Sequence, residues 1–158
     1  MSTPAERSTV TAEPLSSWDA QMLIGRLNSE LTDLYPNPRD RHFDLVETQV
    51  SEDRGVFLVA RLNGDPVGCG ALRRLDAVTG ELKRMYVEPR ARGQGVGRGV
   101  LAQFEHHARR LGLRRLVLET GDRQHEATRL YERAGFARIP CFGEYTGAAS
   151  VCMEKALD

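Results

Sequence analysis

Several features that mark membrane, secreted or nucleic-acid-binding proteins are missing from this sequence. No apolar run is long enough to span a bilayer, and residues 1–6 lack the apolar core of a signal peptide. The 22 basic and 22 acidic residues leave a formal net charge of +0, so no global field attracts nucleic acid or a membrane surface. Aromatic residues are scarce and do not interleave with the Arg-Gly-rich run. We therefore expect no nucleic-acid and no membrane partner.

Cysteine is also scarce. Cys69, Cys141 and Cys152 are odd in number, far apart in the chain and not part of a Cys-x-x-Cys motif. Structural zinc sites and disulfide frameworks need cysteines that can pair or cluster. The sequence therefore predicts no metal site and three reduced thiols in a cytoplasmic protein, with buried packing favoured over a catalytic cysteine.

What is present fits one domain, residues 1–158, with its first seven residues polar and flexible. Hydrophobic periodicity predicts strands at 8–13, 56–60, 67–72, 79–87, 113–119, 137–140 and 151–156. It predicts three helices. The first follows a capping box at 16–19, the second runs from 96 to about 112, and the third follows a cap at Asp122. Residues 36–54 fit either a second short helix or an irregular flap. This order indicates an α/β sandwich around a mixed sheet.

A glycine-rich run joins the strand at 79–87 to the following helix. It consists of Arg92, Gly93, Gln94, Gly95, Val96, Gly97 and Arg98. Glycines let a backbone approach a ligand closely, and the first amides of a helix have no partner within it. Together with the positive end of the helix dipole and the nearby arginines, they form a site for an anion, most naturally a polyphosphate.

The glycine spacing excludes two common phosphate loops. A Gly-x-Gly-x-x-Gly fingerprint would need a third glycine where Arg98 or Val100 stands, and a Walker loop would need Gly-Lys followed by Ser or Thr. The remaining pattern, Arg-x-x-Gly-x-Gly, resembles the pyrophosphate-binding loop of the GNAT superfamily of acyl-CoA-dependent N-acyltransferases. Downstream, residues 130–136 resemble the second GNAT signature, Leu-Tyr-x-x-x-Gly-Phe. Residues 119–121, 139–145 and 150–155 are similar to a bacterial GNAT subgroup.

The resemblance implies a fold, an activity and a co-substrate. The fold would be an α/β (α+β) GNAT fold, with a mixed, mostly antiparallel sheet of six to seven strands and about four helices. Its central strands would splay into a V-shaped gap that receives the pantetheine arm of acetyl-CoA. The activity would be acetyl-CoA-dependent N-acetylation, and a homodimer is compatible with the resemblance.

The resemblance also implies which residues hold acetyl-CoA. Backbone groups of Met85, Tyr86 and Val87 would bind the pantetheine arm, and residues 92–98 would bind the pyrophosphate. Gln124 stands where many GNAT proteins have Asn, and its longer amide arm still allows a contact to acetyl-CoA or to water.

Two residues are the predicted catalysts. Glu81, four residues before Met85, takes the spacing of a GNAT catalytic base, with Glu119 in reserve on the opposing strand. Strand alternation predicts that Glu81 and Lys83 share a face with Met85 and Val87. Tyr131 occupies the signature tyrosine and would donate a proton to the leaving thiolate. The backbone amide of Met85 would hold the oxyanion.

The acceptor is the least determined part. Basic residues crowd the strands before the glycine loop and the irregular segment, namely Arg73, Arg74, Lys83, Arg84, Arg39 and Arg41. A basic group facing the cleft would favour a small, amino-acid-like amine that bears an anionic group. A non-catalytic acetyl-CoA-binding module and a lysine or N-terminal protein acetyltransferase remain alternatives. His42 and His125 could approach the cleft, but the sequence does not place them.

Overall fold

The computed structural model describes residues 7–158, so the flexible start expected at residues 1–7 lies almost wholly outside the described residues. The strands are β1 (Ser8–Ala12), β2 (Gly55–Leu62), β3 (Asp65–Arg74), β4 (Thr79–Val87), β5 (Arg115–Gly121), β6 (Ala137–Ile139) and β7 (Ser150–Ala156). The helices are α1 (Trp18–Leu34), α2 (Val96–Arg110) and α3 (His125–Arg133). The α-helices of this range number three, where about four were expected. No helix within it is both long and apolar enough to cross a bilayer.

The seven strands form one mixed sheet in the order β1-β2-β3-β4-β5-β7-β6. Every neighbouring pair is antiparallel except β4 and β5, which run parallel. Parallel neighbours need a crossover connection, and α2 supplies it. The fold class predicted from the sequence is confirmed, including its mixed and mostly antiparallel sheet.

The central strands separate after four paired positions. The β4–β5 ladder runs from Thr79 opposite Arg115 to Leu82 opposite Leu118 and then stops. Beyond it, β4 stays with β3 and β5 stays with β7. The result is a V-shaped gap between the ends of β4 and β5, as the family resemblance implied.

A bulge in β4 lies at the start of this gap. Ala71 is opposite Lys83, but Cys69 is opposite Tyr86, so β4 contains one extra residue at this point. Arg84 has a positive φ of 58° there. An extra residue reverses the alternation of side chains along a strand.

The prediction that Glu81, Lys83, Met85 and Val87 share one face is therefore wrong. Met85 and Val87 pack with the core under α2, on the same side as Leu82. Glu81 and Lys83 point to the opposite side, where α1 lies.

Two apolar clusters cover the two faces of the sheet. Phe104 of α2 packs with Leu58, Leu118 and Met153 on one face. On the other face α1 contributes Ala20, Leu23 and Leu27, which repeat at helical spacing and pack against Phe57 and Val59. The Ser17 hydroxyl accepts a hydrogen bond from Ala20 N at 3.1 Å and caps α1, as the capping-box sequence predicts.

Two local predictions concern residues 36–54, between α1 and β2, and the cap of α3. Between α1 and β2 only two 3-10 turns form, Pro38–Asp40 and Glu47–Val50, so the irregular alternative is confirmed for residues 36–54. Asp122 was predicted to cap α3, but Gln124 occupies the cap position. The Asp122 carboxylate instead accepts a hydrogen bond from the Tyr35 hydroxyl at 3.2 Å.

The expectation of three reduced thiols is wrong for two of the cysteines. Cys141 and Cys152 form a disulfide, with their Cα atoms 5.1 Å apart. The antiparallel β6–β7 pair places Ile139 opposite Cys152, and this brings Cys141 within bonding reach. Cys69 is a free and fully buried thiol, as packing predicts.

Candidate active site

A cavity occupies the gap between the splayed ends of β4 and β5. Its walls come from β4, β5, α1, α3 and two irregular segments, those between α1 and β2 and between β6 and β7. The polar side chains that line it include Arg41, His42, Lys83, Arg84, Glu119, Gln124, Tyr131 and Tyr145. Acid–base groups and cations therefore meet at the point where the sheet opens.

The glycine loop precedes α2 at one end of this gap. Gly93 and Gly95 have positive φ values of 79° and 82°, and a Cβ at either would meet no atom within 4 Å. No side chain caps α2, and its first hydrogen bond runs from Gly99 N to Gly95 O. The amides of Val96, Gly97 and Arg98 precede that bond and have no partner within the helix. Open space beside these amides fits a phosphate group.

Gly97 serves a different purpose from Gly93 and Gly95. A Cβ on Gly97 would lie 2.7 Å from Cδ2 of Leu130 in α3. A larger residue at this position would have to displace the Leu130 side chain. This contact joins the helix that follows the glycine loop to the helix that carries Tyr131.

The polar side chains of the loop are engaged to different extents. Arg92 donates to the Val87 carbonyl at 2.9 Å and to Glu30 at 2.7 Å, so it fastens the loop to β4 and α1. Gln94 turns back to the Arg90 carbonyl at 3.1 Å. Arg98 is exposed and has no hydrogen-bond partner within the described part of the chain, which leaves its guanidinium free to meet an anion.

Tyr131 lines the cavity and is only 4% exposed. Its hydroxyl has no hydrogen-bond partner among residues 7–158, and its ring packs edge-on against Phe136 with centroids 5.9 Å apart. Burial, followed by the nearby charge of Glu119, raises the pKa of this phenol above its ordinary value. Tyr131 therefore stays protonated at neutral pH and is able to donate a proton into the cavity.

Comparison with known proteins agrees with this geometry. The model of the acetyltransferase (GNAT) family matches residues 24–136. An IAA acetyltransferase from Azospirillum brasilense is 43% identical over 85% of this chain and 88% of its own. The chain belongs to the GNAT family.

Other GNAT relatives extend the comparison. A Klebsiella pneumoniae protein assigned to the acyl-CoA N-acyltransferases superposes with a TM-score of 0.81 and 33% identity, over 96% of this chain and 98% of that chain. An aminoglycoside N(6')-acetyltransferase from Stenotrophomonas maltophilia is 29% identical over 85% of this chain and 87% of its own. The chain is therefore an acetyl-CoA-dependent N-acetyltransferase.

Glu81, the predicted GNAT base, lies behind the cavity wall rather than in it. It is 1% exposed and accepts hydrogen bonds from Arg73 Nε at 2.8 Å and from the Tyr145 hydroxyl at 2.5 Å. Burial and the bond to Glu81 raise the pKa of Tyr145. The assignment of Glu81 as the base stays a prediction, and the geometry gives this carboxylate two protein partners.

Glu119, the reserve candidate, does line the GNAT cavity. It is the first residue of β5 beyond the β4–β5 ladder. The Ser150 hydroxyl donates to its carboxylate at 2.6 Å, and His42 Nε2 lies 3.7 Å away. Burial raises its pKa, and the charge of Glu81 adds to this, while Ser150, His42 and Lys83 oppose the shift. A carboxylate with a raised pKa is a stronger proton acceptor.

The remaining predicted GNAT positions lie around the same gap. Past Leu82 the edge of β4 that faces β5 carries no ladder, so that edge is open at Met85, Tyr86 and Val87. On the other edge Tyr86 and Val87 pair with β3, while Met85 lies at the bulge. The Gln124 carbonyl accepts hydrogen bonds from the Thr120 hydroxyl and from Gly121 N, both at 3.0 Å. Both bonds are to the side-chain oxygen Oε1, and the side-chain nitrogen Nε2 has no partner in the described range. The roles assigned to these residues stay predictions.

The basic residues divide between the cavity and the rest of the surface. Lys83, Arg84 and Arg41 line the cavity, whereas Arg73 binds Glu81 and Arg74 donates to backbone carbonyls. Lys83 is nearly buried and contacts Asp44 at 2.9 Å. Burial tends to raise the pKa of Asp44, but the hydrogen bond and charge of Lys83 outweigh it and lower the pKa to about 2. Arg39 is exposed.

One aromatic residue of the site, Tyr145, was not assigned a role from the sequence. Tyr145 comes from the connection between β6 and β7 and packs edge-on against His42 and Phe142, with centroids 4.8 Å and 5.3 Å away. His42 lines the cavity, while His125 is exposed at the start of α3. The sequence signal that could have indicated Tyr145 is the presence of two aromatic residues, Phe142 and Tyr145, in a glycine-containing loop, since such loops often carry function.

In residues 7–158 no group of three or more His, Cys, Asp or Glu side chains could hold a metal.

Proposed function

We propose that this chain transfers the acetyl group of acetyl-CoA to the primary amine of a small, amino-acid-like metabolite that carries an anionic group. The observation that carries the proposal is the cavity in the splayed sheet. There Glu119 and Tyr131 are close enough for the carboxylate charge to raise the pKa of the phenol, and Lys83, Arg84 and Arg41 line the same space. A proton acceptor, a proton donor and an anion-binding wall occupy one site.

The donor site follows the loop and the open strand edge. The amides of Val96, Gly97 and Arg98 would hold the pyrophosphate, with Arg98 as the adjacent cation. The unpaired edge of β4 at Met85–Val87 would bind the pantetheine arm as an added strand, because its backbone groups need partners there. Acetyl-CoA supplies the activated acyl group as a thioester.

Each residue has a distinct role in the transfer. An alkylammonium with a pKa of about 10 is mostly protonated at neutral pH, so a proton must leave before the nitrogen can attack. Tyr131 would give a proton to the departing sulfur, which its position on the cavity wall supports. The Met85 amide, beside the bulge, would donate to the oxygen on which negative charge develops.

The charges of the cavity support an anionic acceptor. Lys83 contacts two partly exposed carboxylates, Asp44 at 2.9 Å and Glu144 at 3.9 Å, and a substrate carboxylate or phosphate would replace or join them. Burial lowers the pKa of Arg84, whose guanidinium donates to the Asn28 side chain and lies 4.8 Å from the centroid of the Phe43 ring. The cavity volume of about 80 Å³ supports a small acceptor group. A polyamine would meet cations of its own sign.

A thiol-release assay over amines of both charge types tests the proposal. The panel contains anionic α-amino acids, spermidine, an aminoglycoside and a lysine-containing peptide. We expect thiol release to be fastest with an anionic amine. Faster release with spermidine, the aminoglycoside or the peptide would overturn the acceptor class. Acetyl-CoA binding without thiol release from any amine would favour the non-catalytic module.

A further inference from the structure

His42 has the surroundings of a reactive group rather than of a structural one. It lies in the irregular segment between α1 and β2, and its side chain is 17% exposed, on the cavity wall. Its ring packs edge-on against Tyr145, but neither ring nitrogen has a hydrogen-bond partner among residues 7–158. Nε2 is 3.7 Å from Oε2 of Glu119, which is ion-pair distance for a protonated ring.

We propose that His42 is a further catalytic residue, which accepts the proton of the acceptor ammonium while Glu119 neutralises the imidazolium. The inference rests on the proposed function of the cavity and names a residue that acts in it. An imidazole is suited to this step because it ordinarily changes charge between pH 5 and 8. Glu119 stabilises the charged ring as the carboxylate of a catalytic dyad does.

The proton and electron balance closes with the residues at hand. His42 takes one proton from R–NH₃⁺ and leaves the neutral amine R–NH₂. The nitrogen lone pair forms a bond to the thioester carbonyl carbon, and the electron pair of the breaking C–S bond goes to sulfur. Tyr131 gives its proton to that sulfur, and the second proton lost by the nitrogen restores the phenol. His42 then releases its proton to solvent, so the net reaction releases one proton.

Other titratable groups face His42 from every side. Glu119 lies on β5, Lys83 on β4, Tyr131 on α3 and Tyr145 on the β6–β7 connection. Asp40 and Arg41 precede it on its own segment and also line the cavity. Tyr145 and Tyr131 both have raised pKa values from burial and stay neutral. Among the described residues, Glu119 is the only one with a carboxylate oxygen within 4.0 Å of a ring nitrogen of His42.

Two substitutions separate catalysis from packing. His42→Phe keeps an aromatic ring against Tyr145 but removes both nitrogens, and His42→Gln keeps polarity without a titratable base. His106→Gln is the matched control, because His106 is an exposed histidine on α2. We expect both His42 variants to lower kcat/KM about 100-fold at neutral pH, with acetyl-CoA affinity and thermal midpoint close to those of the parent. The acidic limb of the kcat/KM profile should shift or disappear.

The outcomes distinguish a failure of the role proposed for His42 from a failure of the proposed acetyl transfer. If the parent releases thiol with an amine and either His42 variant keeps the parent rate and pH profile, His42 is not the proton acceptor and the acetyltransferase assignment stands. If the parent shows no transfer to any amine, the proposed function itself fails. Restoration of the rate of a His42→Gly variant by added imidazole supports the inference, and loss of rate without such rescue in a folded variant contradicts it.

Discussion

The Tyr145 hydroxyl donates to the Glu81 carboxylate at 2.5 Å, and this bond separates Glu81 from the cavity. Arg73 occupies the other carboxylate oxygen at 2.8 Å. Both carboxylate oxygens of Glu81 therefore have protein partners, and Glu81 is not among the residues that line the cavity. Glu119 has a raised pKa and lines the cavity, so we expect it, rather than Glu81, to be the carboxylate that takes part in the acid–base chemistry.

Exchange of each glutamate for glutamine separates these two carboxylates. Glu81→Gln removes the buried charge that compensates Arg73, so we expect the unfolding free energy to fall by about 3 kcal/mol. This is the lower end of the range for a broken buried ion pair, because Arg73 keeps its ion pair with Asp44. Glu119→Gln should lower turnover about 10- to 100-fold and change stability by less than about 1 kcal/mol. Urea unfolding and steady-state kinetics measure both. A stable Glu81→Gln variant that loses the acidic limb of its pH profile would restore Glu81 as the base.

The glycine loop makes a matched pair of variants possible. Gly95 and Gly64 both have positive φ, 82° and 88°, and both have open space where a Cβ would stand. Gly95→Ala and Gly64→Ala should therefore cost similar stability, about 1–2 kcal/mol, because of the same backbone strain. Only Gly95→Ala should weaken acetyl-CoA binding, since Gly64 is in the hairpin turn between β2 and β3. Equal affinities of the two variants by calorimetry would argue against the loop as the pyrophosphate site.

Tyr131→Phe isolates the proton donor. The substitution removes one hydroxyl that has no protein partner, so the fold should lose little. We expect kcat to fall about 100-fold while acetyl-CoA affinity stays within about twofold, because the hydroxyl acts only at the leaving group. Rapid-quench kinetics should show that the chemical step itself is slowed. A parent-like kcat would show that Tyr131 only packs against Phe136.

The disulfide should restrain the connection that carries Tyr145. Cys141 and Cys152 are 11 residues apart in the sequence, and the loop that their disulfide closes contains Tyr145. Reduction, or the Cys141→Ser variant, should lower the unfolding free energy by about 3 kcal/mol from loop entropy alone. Cys69→Ser is not a matched control, because Cys69 is buried and its substitution would itself change the stability. The control is therefore the Cys141→Ser variant, whose thermal midpoint should be the same with and without reductant. A thermal midpoint of the parent that does not respond to reductant would show that the bond is not formed.

The parts of the fold that depend on local pattern were predictable. The strand, glycine loop and helix around Gly95 are consecutive in the chain, and period and turn chemistry are sufficient to place them. Tyr131 was found because it lies within a short contiguous motif. The splay followed from family resemblance, and the end of the β4–β5 ladder at Leu82 agrees with it.

The parts that depend on tertiary contacts were not predictable. The extra residue at Arg84 reverses the faces of β4, and a Lys-Arg-Met run carries no local sign of a bulge. Cys141 meets Cys152 only because β6 and β7 pair. His42 approaches Glu119 from an irregular segment and packs against Tyr145, and hydrophobic periodicity does not report such contacts.

The central claim is that the cations beside Glu119 select an amine that bears a carboxylate. Matched pairs of an α-amino acid and its amide test it most directly, since the two present the same amine with and without the negative charge. We predict a kcat/KM for the acid at least about tenfold above that for the amide in the parent. In Lys83→Met the ratio should approach one, with acetyl-CoA affinity unchanged. Equal rates for acid and amide in the parent, or a preference for the amide, would contradict the account.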